Sequence, residues 1–183
     1  MKNFLYVLPI VFLIACGETE PRRPVKTKSG SLINASVQRN IELLNQEEQV
    51  IQQIIANDTL HHYLASATGS WYFYSAMNEE SDYTPLTDDL VTLSYNLISL
   101  ENDTIYSMEE IGIIKYKVDK QELFPGLRSS VKLLKENETA TFFFPSAMAY
   151  GYHGDNNKIG PNVALKSTIR ILKIDKQKEN IDN

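Results

Sequence analysis

From Val37 to Ala56 the apolar residues Ile41, Leu44, Ile51, Ile54 and Ile55 recur at helical spacing among Gln, Glu and Asn, which predicts a surface helix laying one stripe on a neighbour. The pattern breaks at Asn57-Asp58, and "TLHHYLASAT" restarts it as a short second helix stopped by Gly69. Beyond Gly69 the apolar period shortens from about 3.6 to about 2. "WYFYSA" (71–76), "LVTLSYNLIS" (90–99), "IGIIKYKV" (111–118), "TATFFF" (139–144) and "LKSTIRILKI" (165–174) are β-branched or aromatic and read as strands. Val91, Leu93, Tyr95 and Leu97 share one strand face, and Ala140, Phe142 and Phe144 share another. One helix, "LRSSVKLLKEN", interrupts them after Pro125-Gly126. The order predicts an α+β domain, an antiparallel sheet wrapped around one helix and preceded by an N-terminal helical segment.

The first residues follow neither period. Lys2 is followed by "FLYVLPIVFLIA", too short and wrongly flanked for a spanning helix, which reads as an export signal over 1–15. It ends in Leu13-Ile14-Ala15-Cys16-Gly17, which resembles the lipobox of bacterial lipoproteins. The resemblance implies cleavage before Cys16 and acylation of that residue. At about 0.8 kcal/mol per buried CH₂, several acyl chains would anchor the chain to a membrane firmly. Residues 16–35, rich in Pro, Gly, Ser and charge, read as a flexible tether. The N-terminal helical segment then covers 36–69, the sheet domain 70–176, and a disordered tail 177–183.

Composition changes this picture little: of 183 residues, 43% are hydrophobic and 22% charged, ordinary values for a globular chain. Loss of residues 1–15 would remove Lys2 and take the net charge from −5 to −6, which disfavours nucleic acid as a partner. One cysteine excludes an internal disulfide or a cysteine-built metal site. His61 and His62 are adjacent and would point apart on a helix, so they read as surface histidines.

The most singular stretch is "FFFPSAMAYGYHGDNNKIGPNVAL", 142–165. Its glycines lie between strands, without the helix and lysine that a phosphate cradle needs. A metal at His153 would find only Asp155 nearby, and no elbow motif frames Ser146 as a nucleophile. What remains is an apolar pocket, with strand aromatics as floor, Tyr150 as a lip and Ile159 as a wall, or the same residues as plain core.

The segment "LKENETATFFFPSAMAYG…IGPNVALKSTIRILKI" resembles the C-terminal half of FKBP-type peptidyl-prolyl isomerases, with their "AYG", flap loop and "IPPN-x-x-L". Upstream, "PLTDDLVTLSYNLISLENDTIYS" and "YKVDKQELFPGLRSSVKLLKENE" are similar to the family's preceding segments, so the resemblance runs from about Trp71 to Asp175. It implies an FKBP-like fold, isomerase activity and no cofactor. Catalytic roles fall on Tyr95, Phe124 and Tyr150. The substrate pocket is implied to comprise Tyr95, Ile105, Tyr106, Tyr116, Leu123, Phe124, Leu127, Tyr150 and Ile159, with the backbone of Leu123 and Phe124 meeting the ligand. There are departures. Ile105-Tyr106 replace "F-D", so the usual pocket carboxylate is missing; Leu127 replaces a floor tryptophan; Ser167 replaces a pocket phenylalanine. A looser, less aromatic pocket is expected, and "HGDNNK" reads as a solvated flap tip.

With its lipobox, helical segment and "GSWYFY", the whole chain is similar to the gliding-motility-associated FKBP-like lipoproteins. This implies a monomeric isomerase, lipid-anchored at the periplasmic face or outer membrane, acting on proline-containing polypeptides of the cell envelope. The alternatives are an FKBP-fold binding module or chaperone with weak or no isomerase activity, and a purely structural lipoprotein of the motility apparatus. "DTL" and "DTI" at Asp58 and Asp103 are similar to bacterial O-glycosylation sites, which would place sugar on Thr59 and Thr104, or they are ordinary polar turns.

Overall fold

The computed structural model describes residues 29–177, with side chains from Ile33 onward. The export signal, Cys16 and residues 178–183 lie outside the described residues, as does most of the tether. Residues up to Val37 and residues from Gln38 form two separate compact units. Of the first, only the opening turns of helix α1 are described; the sheet and the candidate site belong to the second.

Helix α1 spans Ser29–Asn57. Within its stripe Ile51 is fully buried, Leu44, Ile54 and Ile55 are half-buried, and Ile41 is exposed. The Glu47 carboxylate accepts the Ser146 N–H at 2.7 Å, tying the helix to the turn that precedes Tyr150. The helix stops where Asp58 turns its side chain onto the backbone, accepting the Leu60 N–H at 2.8 Å.

The second helix expected over 58–69 does not form. Asp58 also accepts from His61 Nδ1 at 2.7 Å and from the Tyr63 hydroxyl at 2.9 Å. This gathers His61 and Tyr63 onto the sheet, His61 stacking on Phe73 at 3.9 Å and Tyr63 tilting over Phe143 at 5.8 Å. The segment continues as the short strand β1, Leu64–Ala65, and turns at Gly69 (φ +87°) into β2, Trp71–Ala76.

The remaining strands are β3 Leu90–Tyr95, β4 Leu97–Ser99, β5 Thr104–Tyr106, β6 Ile114–Lys117, β7 Thr139–Phe144 and β8 Leu165–Asp175. All pairings are antiparallel, in the order β1-β2-β7-β8-β3-β6, with β4 also on β8 and β5 on β4. The expected strand 90–99 is broken at Asn96, whose side-chain oxygen accepts the Thr168 N–H at 2.7 Å and whose carbonyl accepts the Ser167 hydroxyl at 2.6 Å. The expected strand 111–118 begins instead inside a one-turn helix, α2 Met108–Ile111, capped by Ser107. The last described residue, Gln177, donates its N–H to Asp89 at 2.8 Å.

Helix α3 spans Pro125–Val131, starting before and ending short of the predicted stretch, because proline suits the first helical position. It lays Leu127 and Val131 on Val91, Leu93, Phe142, Phe144, Ile169 and Ile171 of the sheet, all buried in one apolar cluster. The other face of β7 is buried too: Thr141 is 6% and Phe143 3% exposed. Three successive phenylalanines are therefore explained by a strand covered on both sides.

Candidate functional site

The sequence around Pro125 decides how the site is assembled. Phe124 caps α3 in an extended conformation just before the proline, and Leu127 follows one turn later. Gly126 between them allows a close approach, since a Cβ there would lie 2.6 Å from the Phe144 ring and 2.8 Å from the Met148 carbonyl. The start of α3 consequently sits on β7 and on the 3-10 turn Ser146–Met148, which delivers Tyr150.

The rings meet around Phe124. Its centroid lies 5.3 Å from Tyr150, 5.7 Å from Phe144 and 6.4 Å from Tyr95 at the end of β3. Leu127 and Tyr116 are fully buried in the same apolar cluster, Ile159 is 3% exposed, and Phe124 and Tyr95 keep 8% and 9%. Leu123, Ile105, Tyr106 and Tyr150 are partly buried and pack against it. All nine residues expected from the sequence to form a pocket belong to this apolar cluster or pack against it, and the Tyr116 hydroxyl is engaged by the Asp119 N–H at 3.3 Å.

The polar side of the site comes from tyrosines and one carboxylate. Burial, followed by the proximity of Tyr95, Asp155 and Tyr106, pushes the Tyr150 hydroxyl up to about 12, so it stays a neutral donor. No described residue accepts from it, which leaves it uncommitted. Burial likewise raises Tyr95.

The loop after Tyr150 is closed at its base by Gly151 N–H to the Ser146 carbonyl at 2.9 Å and Asn162 N–H to the Gly151 carbonyl at 2.8 Å. At its tip Gly154 has φ +68°, and a Cβ there would run into the Ile159 carbonyl. The reading of "HGDNNK" as a solvated tip is right for His153, Asn156, Asn157 and Lys158 and wrong for Asp155, which is half-buried. One Asp155 oxygen accepts the N–H groups of Asn157 at 2.9 Å and Ile159 at 2.8 Å; the other accepts the Tyr106 hydroxyl at 2.5 Å. Burial pushes this carboxyl up, but the Tyr106 hydroxyl and the two N–H groups together hold it below its ordinary range.

Residues 81–172 match the sequence profile of the FKBP-type peptidyl-prolyl cis-trans isomerases. The chain belongs to this family. Among curated relatives, a probable FKBP-type peptidyl-prolyl cis-trans isomerase FkpA of Neisseria meningitidis serogroup B is 32% identical over 107 residues, 58% of this chain and 39% of the relative. The chain thus spans about two fifths of that relative's length. Among solved structures, FkpA from Escherichia coli has a TM-score of 0.57 at 18% identity, covering 80% of this chain and 64% of that one. A peptidyl-prolyl cis-trans isomerase from Pseudomonas syringae pv. tomato has a TM-score of 0.59 at 15% identity, covering 74% and 95%. The FKBP-like α+β fold expected from the sequence is the one observed.

Two of the departures from the FKBP pattern take on a different meaning in three dimensions. The carboxylate absent at position 106 is matched by one arriving from the loop, Asp155, hydrogen-bonded to the residue that stands there. The only hint in the sequence was the Asp-Asn-Asn turn chemistry. Ser167 is fully buried and donates to the Asn96 carbonyl, so it stitches β8 to the β3–β4 break instead of lining a pocket. Among the described residues no three His, Cys, Asp or Glu side chains gather into a metal site.

Proposed function

We propose that this chain accelerates cis-trans interconversion of Xaa-Pro bonds. The observation carrying the proposal is an uncommitted, neutral Tyr150 hydroxyl beside an apolar group of Phe124, Leu127 and Ile159. An Xaa-Pro bond favours trans by only about 0.5–1 kcal/mol but must cross a barrier of about 18–20 kcal/mol. At the twisted transition state amide resonance is lost, the carbonyl becomes less polar and the nitrogen more basic. A dry apolar pocket favours that state over the planar, solvated one, with no acid, base or covalent step. Phe124 and Ile159 flank the proline ring, with the fully buried Leu127 and Tyr116 packed behind them, and Tyr150 donates to a substrate carbonyl. Lowering the barrier by about 5 kcal/mol would give roughly four decades in rate, and the small Leu127 argues against much more.

Exchange NMR on a short Xaa-Pro peptide tests this. Tyr150→Phe should cost about three- to tenfold, the worth of one neutral hydrogen bond, and Tyr150→Phe with Phe124→Ala should fall to background. A double variant as fast as wild type would sink the pocket mechanism. Leu127 in place of an aromatic residue favours the second reading, a binding module. In that case wild type itself stays at background while the peptide still perturbs the site.

The finer role rests on the sequence. Acylated at Cys16, the isomerase would stand on a cell-envelope membrane and act on proline-containing envelope polypeptides, including components of a gliding apparatus. The lipobox and the resemblance to gliding-motility lipoproteins support this reading.

A further inference from the structure

We infer that Asp155 is a positioning residue of this site, fastening the 151–162 loop to β5 so that Ile159 stands as a pocket wall before any peptide arrives. The inference rests on the isomerase reading and concerns how its pocket is held in shape. The two carboxylate oxygens divide the work. One folds the loop on itself through the N–H groups of Asn157 and Ile159, and the other reaches out of the loop to the Tyr106 hydroxyl at 2.5 Å. The loop tip makes three more contacts on the same side. Asn157 Nδ2 donates to the Tyr106 hydroxyl oxygen at 2.9 Å, and Lys158 Nζ donates to the Ile105 carbonyl at 3.2 Å and to Glu110 at 2.5 Å. Lys158 Nζ also stands 4.6 Å from the centre of the Tyr106 ring.

The consequence for Ile159 comes from its backbone. Its N–H is spent on Asp155 and its carbonyl accepts the Asp155 N–H at 3.0 Å, so the residue cannot move unless Asp155 moves. A Cβ at Gly154 would strike the same carbonyl, so the tip takes this conformation only with glycine there. Ile159 is 3% exposed although it belongs to a loop whose neighbours Lys158 and Gly160 are exposed. A wall fixed in advance spares the peptide the cost of ordering it, so the benefit appears in binding and not in the barrier crossing.

Tyr106→Phe, Asp155→Asn and the double variant test this in the full chain. Each single variant should raise KM by about three- to tenfold with kcat within about twofold, and the double should be no worse than the poorer single, because Tyr106→Phe removes and Asp155→Asn weakens the same Asp155–Tyr106 bond. Amide hydrogen exchange at 153–160 should quicken in all three while β7 and β8 keep wild-type rates. Unchanged KM in both singles, additive losses, a fall in kcat at constant KM, or unchanged loop exchange would each overturn the inference. If wild type proves inactive, the isomerase reading fails separately, and the affinity of an Xaa-Pro peptide, followed at the Ile159 methyl groups, replaces KM with the same expected fold-changes.

Discussion

Asp58 ends α1 and gathers Leu60, His61 and Tyr63 around one carboxylate. The His61 hydrogen bond, joined by the Leu60 N–H, lowers its pKa from the ordinary 3.8 to about 2. Because the folded value lies below the unfolded one, the stability this group contributes is present above about pH 4 and is lost as pH falls through about 2. The difference in Tm between wild type and Asp58→Asn should therefore be widest near neutral pH and shrink between pH 4 and pH 2. A difference that grows on acidification would contradict this assignment. Single residues were legible where the family pattern is contiguous, as at Phe124 and Tyr150. They were not legible where two distant positions compensate each other. Neither Tyr106 nor Asp155 signals its partner, because 49 residues separate them and only the folded loop brings them together. Ser167 misled for the same reason, its acceptor being the Asn96 carbonyl across the sheet.

Among the elements, β7 carries the clearest consequence. Ala140, Phe142 and Phe144 face α3, whereas Phe143 faces Tyr63 and lies beyond reach of the site. Phe143→Ala should cost about 3–5 kcal/mol in denaturant unfolding and leave kcat/KM unchanged at temperatures where the protein stays folded. Loss of activity in step with stability would mean that the two faces are not independent. Strands with strict alternation, such as β3, were legible from period two alone, since one face meets α3 and the other does not. The stretch 58–69 was misread as helix because its aromatic residues carry no period. Their places are set by Asp58 and by rings on the far side of the sheet. The break at Asn96 was passed over because apolar residues resume directly after it, and it is fixed by cross-strand bonds to β8.

For the molecule as a whole, the proposed attachment through Cys16 predicts that wild type incorporates labelled fatty acid in cells and that Cys16→Ser does not. Equal labelling of the two would remove the lipid anchor from the proposal. Isomerase activity of detergent-extracted Cys16→Ser protein on a peptide should equal that of wild type, since the proposed site is built from residues 95 to 159. The strand order adds a constraint of another kind. β8 lies between β7 on one side and β3 with β4 on the other, so the last strand among the described residues is the one that joins the two halves of the sheet. No stretch ending before Leu165 can close it. A chain emerging from a ribosome or a translocon can pair β2 with β7 but must carry the other edge of β7 open until β8 has been made. Such late, long-range closure makes for slow folding. A protein proposed to hasten the folding of others thus meets a delay of its own.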